Sequence, residues 1–434
     1  MKQIAVIDIG TTKVVAIVAQ KNQDNKIQIL GYGQSTSRGI VNGIIRNIPE
    51  ALEAIREAVQ KAKSQAGDFS EVYIGIAGHY IRSESVTHFV VVETEKVTKN
   101  DMQRLLSQAY SMAVSDDEKI IHVIPQEYII DDKEYTDNPL MMPAKKLGAN
   151  LLLIKGKETA YRIIESILSQ LNITVKKIVL EPLAAAAAVL DKDEKESGVA
   201  LVDIGGGTTD LIIFKDGKVR QTTIIPFGGN NVTNDIAKGL QITAAHAEKI
   251  KVEYAYSIVP IPADKNKEIS ISGIAGRKNR KTNVEKISKI AFARMLEIVD
   301  TIKFRIEEWE LRDQLNAGIT ITGGGSLLRG TETLFRFRTD IDTRIAQPDL
   351  NNFVNISEYE FLKNPRYATV IGLILTAFQD YDKNENLKQQ NNKDASQEGT
   401  EQSEQENTKH KDFFNRIWSS IKSFFIDNSD ENLN

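Results

Sequence analysis

Ile4-Ala5-Val6-Ile7-Asp8-Ile9-Gly10-Thr11-Thr12 returns, altered, as Ala200-Leu201-Val202-Asp203-Ile204-Gly205-Gly206-Gly207-Thr208-Thr209. Each copy is an apolar run rich in β-formers, an Asp, and a glycine-bearing turn with paired threonines. A second apolar run follows, Val14–Val18 or Leu211–Phe214. The pattern predicts two β-hairpins whose tight turns present backbone N–H groups and hydroxyls beside a carboxylate. Two such turns facing each other can hold the phosphates of one nucleotide from both sides, with Asp8 and Asp203 orienting a hydrated Mg²⁺. Gly10 lets the backbone approach phosphate closely, with Thr11, Thr12 and Lys13 beside it. Gly205, Gly206, Gly207, Thr208 and Thr209 form the second cradle. A third glycine turn, Gly323-Gly324-Gly325-Ser326, follows the strand-like Ile319–Thr322. It is expected to open a helix whose N-terminus passes under an adenosine or its α-phosphate. The P-loop pattern and the strand-GxGxxG-helix unit are both absent, so those two nucleotide-binding readings fail.

Bulk properties set the class. A chain of 434 residues is long enough for two or more cores, and a net charge of −4 argues against a nucleic-acid binder. Without cysteine there is no disulfide frame or thiolate metal site, and five scattered histidines lack metal-site spacing. Strand-like sequence begins directly after Met1-Lys2, so no signal peptide is expected, and no apolar run approaches the ~18 residues of a membrane span. A cytoplasmic α/β protein is expected.

Outward from the first hairpin, Pro49–Ser64 has helical spacing, and Val72-Tyr73-Ile74-Gly75-Ile76-Ala77 reads as a buried strand. The texture then changes. A strand-like run at Phe89–Val92, a helix capped at Thr98, a strand at Lys119–Pro125 and a polar loop from Asp131 to Asn150 suggest an inserted α+β subdomain over 83–154. A helix over Thr159–Leu171 and a strand over Lys177–Leu180 lead into Glu181-Pro182-Leu183-Ala184-Ala185-Ala186 and the second hairpin. Residues 230–300 read as mostly helical with a basic loop, Arg277-Lys278-Asn279-Arg280-Lys281, that could receive an acidic peptide tail. Ala368–Phe378 is an apolar helix. The stretch 382–410 is too polar to offset its ordering entropy and is expected to be a disordered tether.

Beyond the tether, within 411–428, Phe413, Ile417, Ile421 and Phe424 recur at helical spacing with Phe414, Trp418 and Phe425 beside them, opposite Arg416 and Lys422. Aromatic residues facing basic ones favour an amphipathic helix lying in a membrane interface; the alternatives are docking back on the protein or in a partner's groove. Each large apolar side chain gains ~1.5–3 kcal/mol when fully buried, and less at an interface. One copy should bind reversibly, and several copies on one polymer gain avidity, ~10²–10⁴-fold for a linked pair.

The ordered set DIGTTK, EPLAAA, LVDIGGGTTD, a Glu-x-x-Lys helix, ITGGGS and PRYATVIGLIL resembles the actin, Hsp70 and sugar-kinase ATPase superfamily over roughly residues 1–380. Within it the insert, the IPQEYIID segment and the C-terminal amphipathic helix resemble the FtsA family of bacterial cell-division proteins. The resemblance implies an actin-like fold of two lobes built on duplicated ribonuclease-H-like domains. The first lobe would be 1–82, 155–190 and 363–381, with 83–154 inserted in place of one actin subdomain. The second would have a core of 191–229 and 301–362 and a subdomain of 230–300 for adenine and a partner. It also implies ATP and Mg²⁺, with Asp8 and Asp203 at the cation through water. Thr11, Thr12 and Lys13 would lie at the β- and γ-phosphates, Glu248 and Lys251 at ribose and adenine, and Gly324, Gly325 and Ser326 along the adenosine. Glu181 would position an attacking water, with feeble turnover expected. Implied partners are the C-terminal tail of the tubulin-like GTPase FtsZ, further copies of the chain in a protofilament, an anionic membrane surface and other division proteins, with no nucleic acid. A small-molecule kinase and a pilus-assembly adaptor on the same scaffold are the competing readings, and a chaperone would need a substrate domain that 382–434 is too short and polar to form.

Overall fold

The computed structural model describes residues 2–112, 115, 117–258, 265–271 and 279–397. Both predicted hairpins form. Gln3–Ile9 pairs antiparallel with Lys13–Lys21, and Val199–Ile204 with Thr209–Lys215. Around each, the chain builds the same sheet. A third antiparallel strand, Ile27–Thr36 or Lys218–Ile225, lies outside the returning arm. Two parallel strands lie outside the leading arm: Glu71–Ile76 and Thr174–Leu180 in the first lobe, Ile319–Thr322 and Thr343–Ile345 in the second. Phe353–Val354 adds a sixth strand to the first sheet.

The two sheets share a middle layer. The helix Glu181–Val189 and the long helix Ala368–Gln397 lie between them. One core joins Val6, Val15 and Ile17 of the first sheet to Leu201, Ile212 and Phe214 of the second through Leu183, Ala184, Val370 and Ile374. These runs are apolar on both faces because both faces are covered. On the far side of the first sheet lie Ile48–Ala66 and Glu158–Ser169. The former starts with Asn47 capping Glu50 N–H, with Pro49 in the first turn, and stops at Gly67. On the far side of the second sheet lie Gly229–Leu240, Val284–Glu308 and Thr331–Thr339.

Between Glu71–Ile76 and Glu158–Ser169 stands a separate four-stranded sheet: Arg82–Val91, Lys146–Lys157, Glu118–Ile130 and Glu134–Thr136. Lys99–Tyr110 packs on it with a capping box between Thr98 and Asp101. Its strands outrun their sequence signals. The polar end of the stretch read as a loop to Asn150 is strand from Lys146, since pairing with both neighbours satisfies its backbone whatever the side chains.

Two other expectations change. Residues 230–300 contain a hairpin, Glu268–Ile271 with Arg280–Asn283. The disordered tether expected from 382 is helical to Gln397: no Gly or Pro lies between Gly372 and Gln397, and a helix nucleated by its buried first half extends through residues such as Lys, Glu and Gln at little cost. Residues 398–410 and the amphipathic segment 411–428 lie outside the described residues. Among the described residues no helix is long and apolar enough to cross a membrane.

The two middle helices touch through backbone. A methyl group at Gly372 would lie 1.6 Å from the Ala184 carbonyl oxygen. A buried Lys177–Asp380 ion pair of 2.6 Å, with Tyr73 Oη donating to Asp380 at 2.8 Å, pins the long helix to the edge of the first sheet. Gly372→Ala should therefore lower the melting temperature by roughly 2–8 °C through overpacking. Circular dichroism would read it, and an unchanged melting temperature would contradict so close a crossing.

Candidate nucleotide-binding site

The two turns have the same internal bond: Gly10 N–H donates to Lys13 O at 3.1 Å and Gly205 N–H to Thr208 O at 2.9 Å. They face each other in contact. A methyl at Gly206 would lie 2.3 Å from Thr12 Cγ2, and one at Gly207 would lie 2.7 Å from Thr11 Oγ1. Thr11 Oγ1 also accepts from Gly43 N–H at 3.0 Å. The second turn sits on the start of Gly229–Leu240, whose Gly229 and Asn230 N–H groups donate to Gly205 O and Gly206 O at 2.9 and 2.7 Å. Thr209 points the other way, fully buried with its hydroxyl donating to Phe227 O at 2.8 Å.

Carboxylates gather where the turns meet. Asp8 is buried, with Lys13 Nζ 3.7 Å away; burial raises its pKa and Lys13 pulls it back. Burial pushes Asp203 up to about 6, opposed by the Thr369 hydroxyl, which donates to it at 3.1 Å, and by Lys13. Glu181, half-buried at the first position of its helix, is raised well above the carboxylate range by burial and then by Asp8, Asp210 and Asp203. Gly75 leaves room for it: a methyl there would lie 2.9 Å from Glu181 Cγ. Tyr80 is raised by burial and by Glu181.

Asp210 is the site residue that sequence reasoning missed. It lies directly opposite Asp203 in the second hairpin, is buried, and its pKa is raised first by burial and then by Asp203. Its Oδ1 has no hydrogen-bond partner. The signal was available, since pairing Ile204 with Thr209 across the turn places Asp203 and Asp210 side by side. An all-oxygen, negatively charged set with an orphaned carboxylate oxygen fits a hard divalent cation such as Mg²⁺. Among the described residues no three ligating side chains converge on one point, so Asp8, Asp203 and Asp210 would hold it through its own water shell.

On the side expected to meet adenosine, Lys251 and Glu248 pair at 2.7 Å, and Lys251 Nζ also donates to Gly229 O and Thr233 Oγ1 at 3.1 and 2.9 Å. The pair is thus braced against the helix beneath the second turn. The third glycine turn opens a short 3-10 turn, Gly324–Leu327, in place of the expected longer helix. Gly323, at φ +82°, has no room for a side chain, since a methyl would lie 2.2 Å from Asp203 Oδ1. Gly324 is open, Gly325 packs on Ile204, and Ser326 is fully buried with its hydroxyl on Gly323 O at 2.7 Å. Ser326 therefore shapes the turn from within. Of the basic loop, Arg280 donates to Leu240 O and Gln241 O at 2.8 and 3.0 Å and Lys281 pairs with Glu268 at 2.8 Å, which engages both cations; Arg277 and Lys278 lie outside the described residues.

The family model "Cell division protein FtsA" matches residues 200–372, and that for the SHS2 domain inserted in FtsA matches 78–155. The cell-division protein FtsA of Pseudomonas aeruginosa is 33% identical over 380 residues, 87% of this chain and 90% of that one. The chain belongs to the FtsA family. The FtsA of Escherichia coli K12 is 30% identical over 381 residues, covering 86% and 90%. Among solved structures, the PilM-PilN type IV pilus biogenesis complex matches with a TM-score of 0.60 at 13% identity, covering 86% of this chain and 97% of that one. MreB 5 of Spiroplasma citri bound to AMPPNP matches with a TM-score of 0.54 at 17% identity, covering 89% and 99%. These two show the actin-like fold of this FtsA-family chain, and the insert is the SHS2 domain in place of an actin subdomain. The kinase and pilus-adaptor readings yield to the family assignment.

Between its ordinary value of 3.8 and about 6, Asp203 holds more proton in the folded chain than in the unfolded one, so stability falls as pH rises through that window. Above it the cost is on the order of 2–3 kcal/mol. Without nucleotide or Mg²⁺, Asp203→Asn should melt higher than the parent at pH 8, with the gap shrinking toward pH 5. A gap independent of pH would show that this carboxylate is not strained by charge.

Proposed function

We propose that this FtsA-family chain binds ATP and Mg²⁺ between its lobes, self-associates into actin-like protofilaments, and tethers the FtsZ ring to the inner face of the cytoplasmic membrane at the division site. The observation that carries the nucleotide part is the contact of two glycine turns around Asp8, Glu181, Asp203, Asp210 and a single buried lysine, Lys13. Backbone N–H groups and threonine hydroxyls of these turns suit phosphate oxygens, and Lys13 suits their charge. The AMPPNP held by the MreB 5 neighbour supports an ATP-type ligand on this fold. Mg²⁺, when bound, supplies positive charge that offsets phosphates and carboxylates together.

Glu181 is the water-positioning group in this reading. Burial and the neighbouring acids raise its pKa, which favours the neutral form, a poorer acceptor for a water proton than the carboxylate, and positive charge in the cleft acts in the opposite sense. Slow turnover follows, and binding itself is the signal. The membrane part rests on Phe413, Phe414, Ile417, Trp418, Ile421, Phe424 and Phe425. One such segment binds weakly, and a filament presenting many binds well, so attachment follows assembly. The FtsZ tail is assigned to the subdomain 230–300, where Arg280 and Lys281 already carry bonds to Leu240 O and Glu268 that a tail would have to compete with.

Co-sedimentation with anionic liposomes tests this. The full chain should pellet with vesicles far more with Mg²⁺–ATP than without, and a chain ending at His410 should stay in the supernatant in both conditions. Failure of both chains to bind would remove the membrane assignment, and binding by the full chain indifferent to ATP would remove the nucleotide gate.

A further inference from the structure

The segment Asn364–Thr369 touches all three glycine-turn elements. Arg366 Cβ is the nearest atom over Gly324, 3.8 Å from where a methyl would stand. Thr369 Oγ1 donates to Asp203 Oδ2 at 3.1 Å. Between them Tyr367 turns its ring to Lys13, whose Nζ lies 5.3 Å from the ring centroid. Lys13 also pairs with Asp8, at 3.7 Å. Both partners of the ring contact are buried, Tyr367 at 6% exposure and Lys13 at 8%, so the ammonium has given up most of its water beside the aromatic face.

The ring itself is fixed from three directions. Tyr367 Oη donates to Gln34 Oε1 at 3.0 Å, and the same oxygen accepts from Tyr32 Oη at 2.7 Å. Phe361 packs edge-on at 5.6 Å and 71°. Tyr367 N–H donates to Asn364 O at 2.9 Å, within a turn capped by Asn364 Oδ1 on Arg366 N–H at 3.1 Å. A flexible four-carbon lysine opposite a crowd of carboxylates would otherwise fold down onto them.

We propose that Tyr367 is a positioning residue for phosphate binding: its fixed ring holds the Lys13 ammonium at the mouth of the first turn, away from full engagement with Asp8. This rests on the nucleotide-binding reading above. Lys13 meets phosphate and not base or ribose, so the effect of Tyr367 is confined to ligands carrying the outer phosphates. A side chain that merely supports the fold would instead change affinity for every adenine nucleotide alike.

The test is calorimetric titration of the full chain in Mg²⁺ with ATP and with AMP. Tyr367→Leu should weaken ATP roughly 5- to 30-fold and AMP by no more than about twofold, and Tyr367→Phe, which keeps the ring but loses its Gln34 bond, should weaken ATP by no more than about fivefold and AMP by no more than about twofold. In a Lys13→Met background, Tyr367→Leu should have no further effect on ATP, since the partner of the ring is gone. If Tyr367→Leu does not fold, Gln34→Met, which frees the ring at its hydroxyl, carries the test with an expected loss of about two- to fivefold for ATP alone. Equal losses for ATP and AMP, no loss for ATP, or an undiminished loss in the Lys13→Met background would each overturn the proposal. A parent chain that binds ATP no better than AMP would overturn the phosphate reading of the turns, and this proposal with it.

Discussion

Four carboxylates crowd one lysine where two hairpin turns meet, and the rest of the fold is arranged to hold them there. Burial alone raises each of these acids toward its neutral form, and their mutual repulsion raises Glu181 further. A charge cluster of this kind destabilises the surrounding structure unless something else fixes the distance between the lobes. Here that is the middle layer: two apolar helices in backbone contact at Gly372 and Ala184, packed against both sheets at once. The apolar layer keeps the acids together, and the acids leave the cleft in want of positive charge. In the proposed function a divalent cation with a nucleotide supplies that charge.

The duplication explains the shape of the site, and the divergence of its copies explains the chemistry. Both hairpins carry an Asp one residue from the strand end, with the same turn bond behind it. Opposite Asp8 stands Val15, whereas opposite Asp203 stands Asp210. The first turn adds Lys13 and the second adds two further glycines. One half therefore brings a cation and the other brings closeness of backbone and a second acid. Two identical halves would have presented either two lysines or four facing acids with no counter-charge.

The hairpins were legible because their information is local: period-two apolar runs, a turn residue set, and an Asp at a fixed offset. The middle layer was legible in part, from the apolar Ala368–Phe378 and the alanine run after Glu181. Asp210 was hidden because its role depends on cross-strand register, which the motif implies only after the pairing is drawn. Lys281 and Arg280 read as a free basic patch because nothing in their own neighbourhood shows Glu268 or the end of Gly229–Leu240 coming to meet them. Tyr367 and Thr369 were hidden for the same reason: their partners, Lys13 and Asp203, lie far away in sequence.

The insert is bound to both lobes, which gives it a mechanical place in the molecule beyond its own small core. On the first lobe, His122 Nε2 accepts from Leu180 N–H at 3.2 Å, one residue before Glu181. Burial, with Lys177 nearby, pushes that imidazole down to about 3, so it stays neutral and able to accept across the range in which the protein works. On the second lobe, Ser83 Oγ donates to Thr222 O at 2.9 Å, Gln126 Nε2 donates to Val219 O at 2.8 Å, and Lys218 Nζ donates to Gln126 O at 2.6 Å. A change in the angle between the lobes must therefore break one of these sets of bonds or swing the insert with it. Breaking the His122 bond would orphan a buried backbone N–H beside Glu181, at a cost of about 1–3 kcal/mol. The bonds to the second lobe run from partly buried side chains to backbone carbonyls on a strand, where water can replace the donor more cheaply. The insert is accordingly tied to both lobes, and to the first through the more deeply buried bond.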